Sequence, residues 1–322
     1  MALPEILRSK LSLPVIAAPL FILSDPKLVI AQCKAGVVGS FPALNARPAS
    51  QLDEWLHEII EALAAHDKVH PDQPSAPFAV NQIVHRTNER LEHDLEAAAK
   101  RKVPLVITSL GAREDVNAAI HSYGGVVIHD VINDAFAHKA IEKGADGLIA
   151  VAAGAGGHAG RISPFALIQE IRSWFDGPLA LSGAIATGGA VLAARAIGAD
   201  FAYIGSPFIA TDECRASAEY KQAIVAGASN DIVGTSLFTG VFGNYLKTSI
   251  LKGGFDPNSL PTDNLKTMNF EKAGAEGPKP WKDIWGSGQG IGAVKAVVSV
   301  AELVSRLKRE YDAASARLVR SA

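Results

Sequence analysis

The sequence predicts an α/β fold, a (β/α)8 TIM barrel with a partly helical insertion before its C-terminal segment. Eight short apolar stretches alternate with amphipathic ones by about residue 208. The apolar stretches mostly lack polar alternation, as strands covered on both faces require. Once an insertion is set aside, the 322 residues come near the ~250 typical of such barrels. A doubly wound open sheet shares the alternation. It would want a glycine fingerprint after the first strand, where this chain reads AAPLF.

The first strand, Val15 to Ala18, ends at Pro19, and Pro26 to Ala35 follows with helical spacing of Leu28, Val29, Ile30 and Ala31. Gly36 suits the end of that helix, and Val37 to Phe41 is the second strand. Across 50–65, Leu52, Trp55, Leu56, Ile59, Ile60 and Leu63 fall on one helical face. A polar, proline-bearing connection, His66 to Pro77, leads to a third strand, Phe78 to Val84. Helices at about 88–100, 113–122 and 134–143 separate strands at Leu105 to Leu110, at Val126 to Val131 and at Leu148 to Ala153. Pro164 to Phe175 is the next helix, then come the strand Leu179 to Leu181, a helix over 188–197 and an eighth strand from Ala199 to Phe208.

From about 217 to 284 the rhythm breaks into glycines, prolines and weak helical patterns. This segment reads as a lid bearing on the substrate pocket, so that 1–216 and 285–322 form the barrel. A helix from Ala293 to about Ala313 is expected to pack back on it. Phe238, Phe242 and Tyr245 suit either a pocket wall or the lid's own small core.

A hydrophobic content of 48% with 20% charged residues describes a well-buried chain. The net charge of −2 shows no footprint for nucleic acid. Cys33 and Cys214 are too few for a disulfide framework. The N-terminus lacks the apolar core of a secretory signal, and no apolar run approaches the ~20 residues of a membrane helix, so a cytoplasmic location is expected. His66, His70 and His93 lack metal-ligand spacing, and no metal is expected.

Active sites of such barrels lie at the C-terminal ends of the strands. The sixth strand ends in the stretch the chemistry centres on, GLIAVAAGAGGHAG from Gly147 to Gly160. There His158 stands alone among residues of little or no side chain, and an imidazole titrates nearest neutrality. A tight turn with a solvent-facing histidine is the plainer alternative. The seventh strand ends Ser182-Gly183-Ala184 and the eighth Gly205-Ser206. Barrels often hold phosphate in these two loops, on backbone N–H donors. Small residues at Ala17-Ala18-Pro19 let a flat ring approach the backbone. Flavin and sugar phosphate both fit that description. Asn81 and Gln82, Thr108-Ser109 and His129-Asp130 close the remaining strand ends. His85-Arg86 reads as a solvated loop or a binding pair. Gly286-Ser287-Gly288-Gln289-Gly290 lacks the βαβ context of a dinucleotide loop.

The segments AAPL (17–20), VNQ (80–82), AGAGGHAG (153–160), SGAIATGG (182–189), YIGSPFIAT (203–211) and GSGQGIG (286–292), in this order, resemble the nitronate monooxygenase family of FMN-dependent barrels. The resemblance implies that Ala18, Pro19 and Leu20 flank the isoalloxazine ring and that Asn81 contacts it. Ser109 and Asp130 would join that wall, with Ala153, Gly154 and Gly157 along the glycine loop. Ser182, Gly183, Ala184, Gly205 and Ser206 would hold the FMN phosphate, and Gln289 would approach the ring from the C-terminal segment. His158 matches the family's active-site histidine. Two departures stand out: Gly154 where the family loop often has an acidic residue, and SGAI where Ala-Gly-Gly-Ile is common. The implied activity is oxidation of alkyl nitronates, or nitroalkanes, by O2 to a carbonyl compound and nitrite. His158 would either supply a hydrogen bond or positive charge to the nitro oxygens or remove the α-proton. An NAD(P)H-dependent reductase of quinones or enoyl thioesters on the same scaffold is the alternative. The expected partners are a small nitronate and O2, without nucleic acid or membrane, and a homodimer is compatible with this reading.

Overall fold

A computed structural model describes residues 4–7, 11–263 and 278–320. The expected lid therefore lies partly outside the described residues, at 264–277. The barrel strands and helices run β1 (Val15–Ala17), α1 (Pro26–Lys34), β2 (Gly39–Pro42), α2 (Gln51–Val69), β3 (Phe78–Ile83), α3 (Leu91–Lys100), β4 (Leu105–Ser109), α4 (Glu114–His121), β5 (Val126–Val131), α5 (Asp134–Glu142) and β6 (Gly147–Val151). After a two-residue strand β7 (Gly157–His158), which lies outside the barrel, come α6 (Pro164–Arg172), β8 (Leu179–Ser182), α7 (Gly188–Ala196), β9 (Phe201–Ile204) and a helical turn α8 (Ser206–Ile209). All barrel neighbours pair in parallel, in the order β1-β9-β8-β6-β5-β4-β3-β2. A parallel bridge from Ile16 to Val38 joins the two ends of that order. The TIM barrel expected from the alternation is borne out.

Two apolar layers hold it. Inside, Ile16, Val38, Leu105, Ile107, Ile149 and Phe201 fill the barrel, with Leu7 of the N-terminal turn packed among them. Outside, the opposite faces of the strands pack against the helices, for example Val15, Val80 and Leu148 with Leu28, Leu56 and Leu167. Burial on both faces is why the strands carry almost no polar alternation.

Two boundaries differ from expectation. The eighth barrel strand stops at Ile204 because Ser206-Pro207 opens a helical turn, where a proline's missing N–H costs nothing. The C-terminal helix α11 spans Val300–Arg320 rather than starting near Ala293. A 3-10 turn occupies Gln289–Ala293, and Val298 then bridges Thr211. Ser299 and Glu302 form a reciprocal cap, Ser299 Oγ accepting from Glu302 N at 3.2 Å and Glu302 Oε2 accepting from Ser299 N at 3.0 Å. That pattern is a capping box, and it sets the helix start.

Residues 217–263 and 278–284 fold over the C-terminal mouth of the barrel. They contain α9 (Ala218–Ala226), β10 (Ile232–Thr235), β11 (Gly243–Leu246) and α10 (Lys247–Lys252). Phe238, Tyr245, Ile250 and Ile284 are buried together as a separate small core. Among the described residues, no helix is long and apolar enough to cross a membrane.

Candidate active site

The glycine loop after β6 does not end in solvent. Gly157 and His158 form β7, the edge of a three-stranded antiparallel sheet ordered β10-β11-β7. Gly243 pairs with His158 and Asn244 with Gly157. Ala159 N donates to Phe242 O at 3.1 Å, and Asn244 Nδ2 donates to Ala155 O at 2.7 Å. Gly157 has φ +69°, and a Cβ there would stand 3.2 Å from the Trp281 ring. The glycine thus meets both a backbone requirement and a close packing partner.

His158 is half-buried, and its Nε2 lies 2.9 Å from Thr239 Oγ1. The Trp281 ring packs edge-on against the imidazole at 5.3 Å. Burial pushes the His158 pKa down to about 4, so the ring is neutral at physiological pH. Thr239 and Trp281 were not legible as site residues. Both come from the inserted segment, 81 and 123 positions beyond the histidine, and no local pattern connects them to it.

One cavity of about 1120 Å3 covers the barrel mouth, a volume ample for a cofactor-sized ligand. His158 lines it. So do Ala18, Pro19 and Leu20 at the end of β1, Asn81 of β3, Ser109 of β4 and Asp130 of β5. Gly154 and Gly157 join from the glycine loop, Ser182, Gly183 and Ala184 from the end of β8, and Gly205 and Ser206 from the end of β9. Two expected contacts are not brought to it. The Ala153 backbone is used inside the loop, its N–H donating to Ile162 O at 2.8 Å. Gln289 is exposed, its N–H donates to Gly154 O at 2.9 Å and its Oε1 lies against Gly154, while Gly288 and Gly290 line the cavity on either side of it.

A polar wall of the same cavity runs across the ends of the three neighbouring strands β3, β4 and β5. Asn81 Nδ2 donates to Ser109 Oγ at 2.8 Å and to Ile107 O at 3.1 Å, and Ser109 Oγ donates to Asp130 Oδ2 at 2.5 Å. Burial pushes the Asp130 carboxyl up to about 6, despite hydrogen bonds from Ser109 and the Leu110 N–H. Tyr203 of β9 lines the same cavity, and burial together with the nearby Asp130 raises its phenol well above the usual range. His129 lines the cavity too, its Nδ1 2.7 Å from Thr108 Oγ1, and burial lowers its pKa to about 4.

The loops after β8 and β9 present backbone donors. Among the described residues the N–H groups of Gly183, Gly205 and Ser206 have no acceptor. The Gly183 amide is buried, where an unpaired N–H is costly, those of Gly205 and Ser206 are half-buried, and an anionic oxygen is the kind of acceptor such donors take. Gly183 takes φ +146°, where a Cβ would stand 2.7 Å from Ala153 O. Ser206 Oγ also accepts from Gly288 N at 2.9 Å, tying the C-terminal segment to this corner. No cluster of side chains among the described residues has the makings of a metal site. Cys33 and Cys214 are buried free thiols. Of the lid aromatics, Phe238 serves both the small core and the cavity wall, Tyr245 is buried in the core, and Phe242 lies under the Arg161 guanidinium at 4.3 Å.

A family model described as nitronate monooxygenase matches residues 5–310. A nitronate monooxygenase from Paraburkholderia phytofirmans is 27% identical, with 92% of each chain covered. Nitroalkane oxidase from Streptomyces ansochromogenes superimposes with a TM-score of 0.77 at 23% identity, covering 97% of this chain and all of that one. FabK from Thermotoga maritima does so with a TM-score of 0.77 at 20% identity, covering 99% of this chain and 98% of that one. The two superpositions speak to the fold alone.

Proposed function

This chain belongs to the nitronate monooxygenase family, and we propose on that premise that it is an FMN-dependent oxidoreductase acting on alkyl nitronates and their parent nitroalkanes. The observation that carries the reading is the meeting, in one cavity, of His158 and the unpaired amides of Gly183, Gly205 and Ser206. The flavin phosphate suits the amides of Gly183, Gly205 and Ser206. The small side chains of Ala18 and Pro19 and the glycine loop leave a flat ring room to approach the backbone.

The bound FMN would take up electrons from the nitronate, with O2 as final oxidant and a carbonyl compound and nitrite as products. The protein supplies orientation and proton handling. With a neutral nitroalkane as substrate, the unprotonated His158 removes the α-proton and leaves the nitronate in place. With a preformed nitronate, no proton need move, and a neutral imidazole supplies no positive charge to the nitro oxygens. We therefore read His158 as the base, a role its lowered pKa supports. Asn81, Ser109 and Asp130, whose donors are spent on one another and on Ile107 O, would give bound FMN a fixed polar wall with one ionisable group, Asp130.

Anaerobic mixing of the FMN-loaded protein with a nitronate should bleach the flavin absorbance, and admission of O2 should release nitrite. Fast bleaching by NADH or NADPH, with no response to nitronate, would replace this reading by a reductase of quinones or enoyl thioesters.

A further inference from the structure

We propose that Thr239 is a positioning residue that holds His158 as the Nε2–H tautomer, so that Nδ1 is the atom that takes the substrate proton. The inference rests on the reading of His158 as the base and adds which nitrogen acts and what selects it.

Thr239 Oγ1 lies 2.9 Å from His158 Nε2 and 3.1 Å from Val241 O. A carbonyl oxygen only accepts, and a threonine hydroxyl has a single proton to give. With that proton on Val241 O, the threonine oxygen has lone pairs left, and the imidazole must be the donor. Val241 N donates to the same oxygen at 3.4 Å, which leaves one lone pair for the imidazole N–H, and the hydroxyl of the fully buried Tyr245 has no hydrogen bond among the described residues. Thr239 is itself 3% exposed, so water does not compete for it. The β7–β11 ladder fixes the backbone on both sides of the pair, through Gly243 opposite His158 and through Ala159 N on Phe242 O. The Trp281 ring that packs against the imidazole has no acceptor to offer.

That leaves Nδ1. It has no hydrogen bond among the described residues and is not sealed off, since His158 lines the cavity and Nδ1 is not among the buried, unpartnered polar atoms. The charged or titratable side chains sharing the cavity are Asp130, Tyr203, His129 and Tyr220, with the exposed Arg47, Lys139 and Lys279. None of them is hydrogen-bonded to the imidazole. In the step assigned to this nitrogen, the α-C–H bond of the nitroalkane breaks and its proton goes to Nδ1. The electron pair moves into the new C=N bond, and the charge settles on the nitro oxygens. The resulting imidazolium keeps its Nε2–H on Thr239.

The test is 15N–1H NMR of FMN-loaded full-length protein with labelled histidine, read beside steady-state kinetics on a nitroalkane and on its preformed nitronate. The wild type should show His158 protonated at Nε2 and bare at Nδ1. Thr239→Val should lose the single tautomer and lower kcat/KM for the nitroalkane by about 10–100-fold, the scale on which groups orienting a histidine act. The preformed nitronate should react at nearly the wild-type rate, and Thr239→Ser should restore both tautomer and nitroalkane turnover. A wild-type imidazole protonated at Nδ1 would overturn the proposal. So would a Thr239→Val protein that loses both activities equally while its tautomer is unchanged. Failure of the wild type to oxidise either compound would instead overturn the nitronate reading, and the NMR tautomer would still decide the role of Thr239.

Discussion

Ser109 and Asp130 are joined by a hydrogen bond of 2.5 Å at the mouths of adjacent strands β4 and β5, with the carboxyl held in a site that burial has made unfavourable for its charge. A carboxyl whose native pKa is raised binds its proton more tightly folded than unfolded. The stability it contributes is therefore complete below the ordinary value near 3.8 and is lost as pH rises through about 6. Asp130→Asn removes the ionisation. Thermal melts between pH 4 and 8 should show the variant less pH-dependent, and more stable at pH 7 by up to ~3 kcal/mol at 1.36 kcal/mol per pKa unit. Parallel wild-type and variant curves across that window would refute the buried charge.

His158→Ala should lower nitroalkane turnover by about 10²–10⁴-fold, the usual contribution of a general base, and should largely spare the preformed nitronate. Because burial holds the imidazole near 4, nitroalkane kcat/KM of the free enzyme should stay level from neutral pH down to about 5 and fall only below that. An inflection near the ordinary histidine value would mean that the imidazole is solvated.

At the phosphate corner, Gly183→Ala forces a Cβ to within 2.7 Å of Ala153 O at φ +146°. Strain of about 1–3 kcal/mol is expected for such a backbone. The protein should fold but retain less flavin through gel filtration, measured as the ratio of flavin to protein absorbance. Full retention would show that the β8 loop does not carry the phosphate.

Arg47, Lys139 and Lys279 stand at the rim of the cavity and make no ion pair among the described residues. An anionic nitronate should be drawn in by them, and a neutral nitroalkane should not. The kcat/KM for nitronate should therefore fall as salt shortens the screening length from ~30 Å at 0.01 M to ~3 Å at 1 M, with a smaller slope in Lys139→Ala/Lys279→Ala. Equal salt dependence for both substrate forms would rule out steering.

The barrel was legible because its strands are buried on both faces, so that Leu105 to Ser109 or Gly147 to Val151 read as apolar runs whatever their partners. Most of the cavity wall was legible for a related reason: in a barrel, residues at or near the C-terminal ends of the strands face the mouth, as Asn81, Ser109, Asp130 and Ser206 do. Gln289 is different. Its neighbours Gly288 and Gly290 line the cavity, and which residues of this segment do so is not encoded by composition. The start of α11 was written in Ser299 and Glu302, a capping signal outweighed by the apolar spacing that precedes it. Thr239 and Trp281 reach His158 only through antiparallel pairing of a two-residue strand with a distant hairpin, a contact without local signature.

That pairing bears on engineering. Because the ladder of Gly157-His158 with Gly243-Asn244 supports the imidazole from outside the barrel, the cover over the mouth is not an interchangeable part. A chimera that grafts a relative's cover onto this barrel to change its substrate range should exchange 153–160 together with 232–246. Transplanting the cover alone would put a foreign hairpin beside the native histidine, and proton abstraction would suffer before any new substrate could be tried.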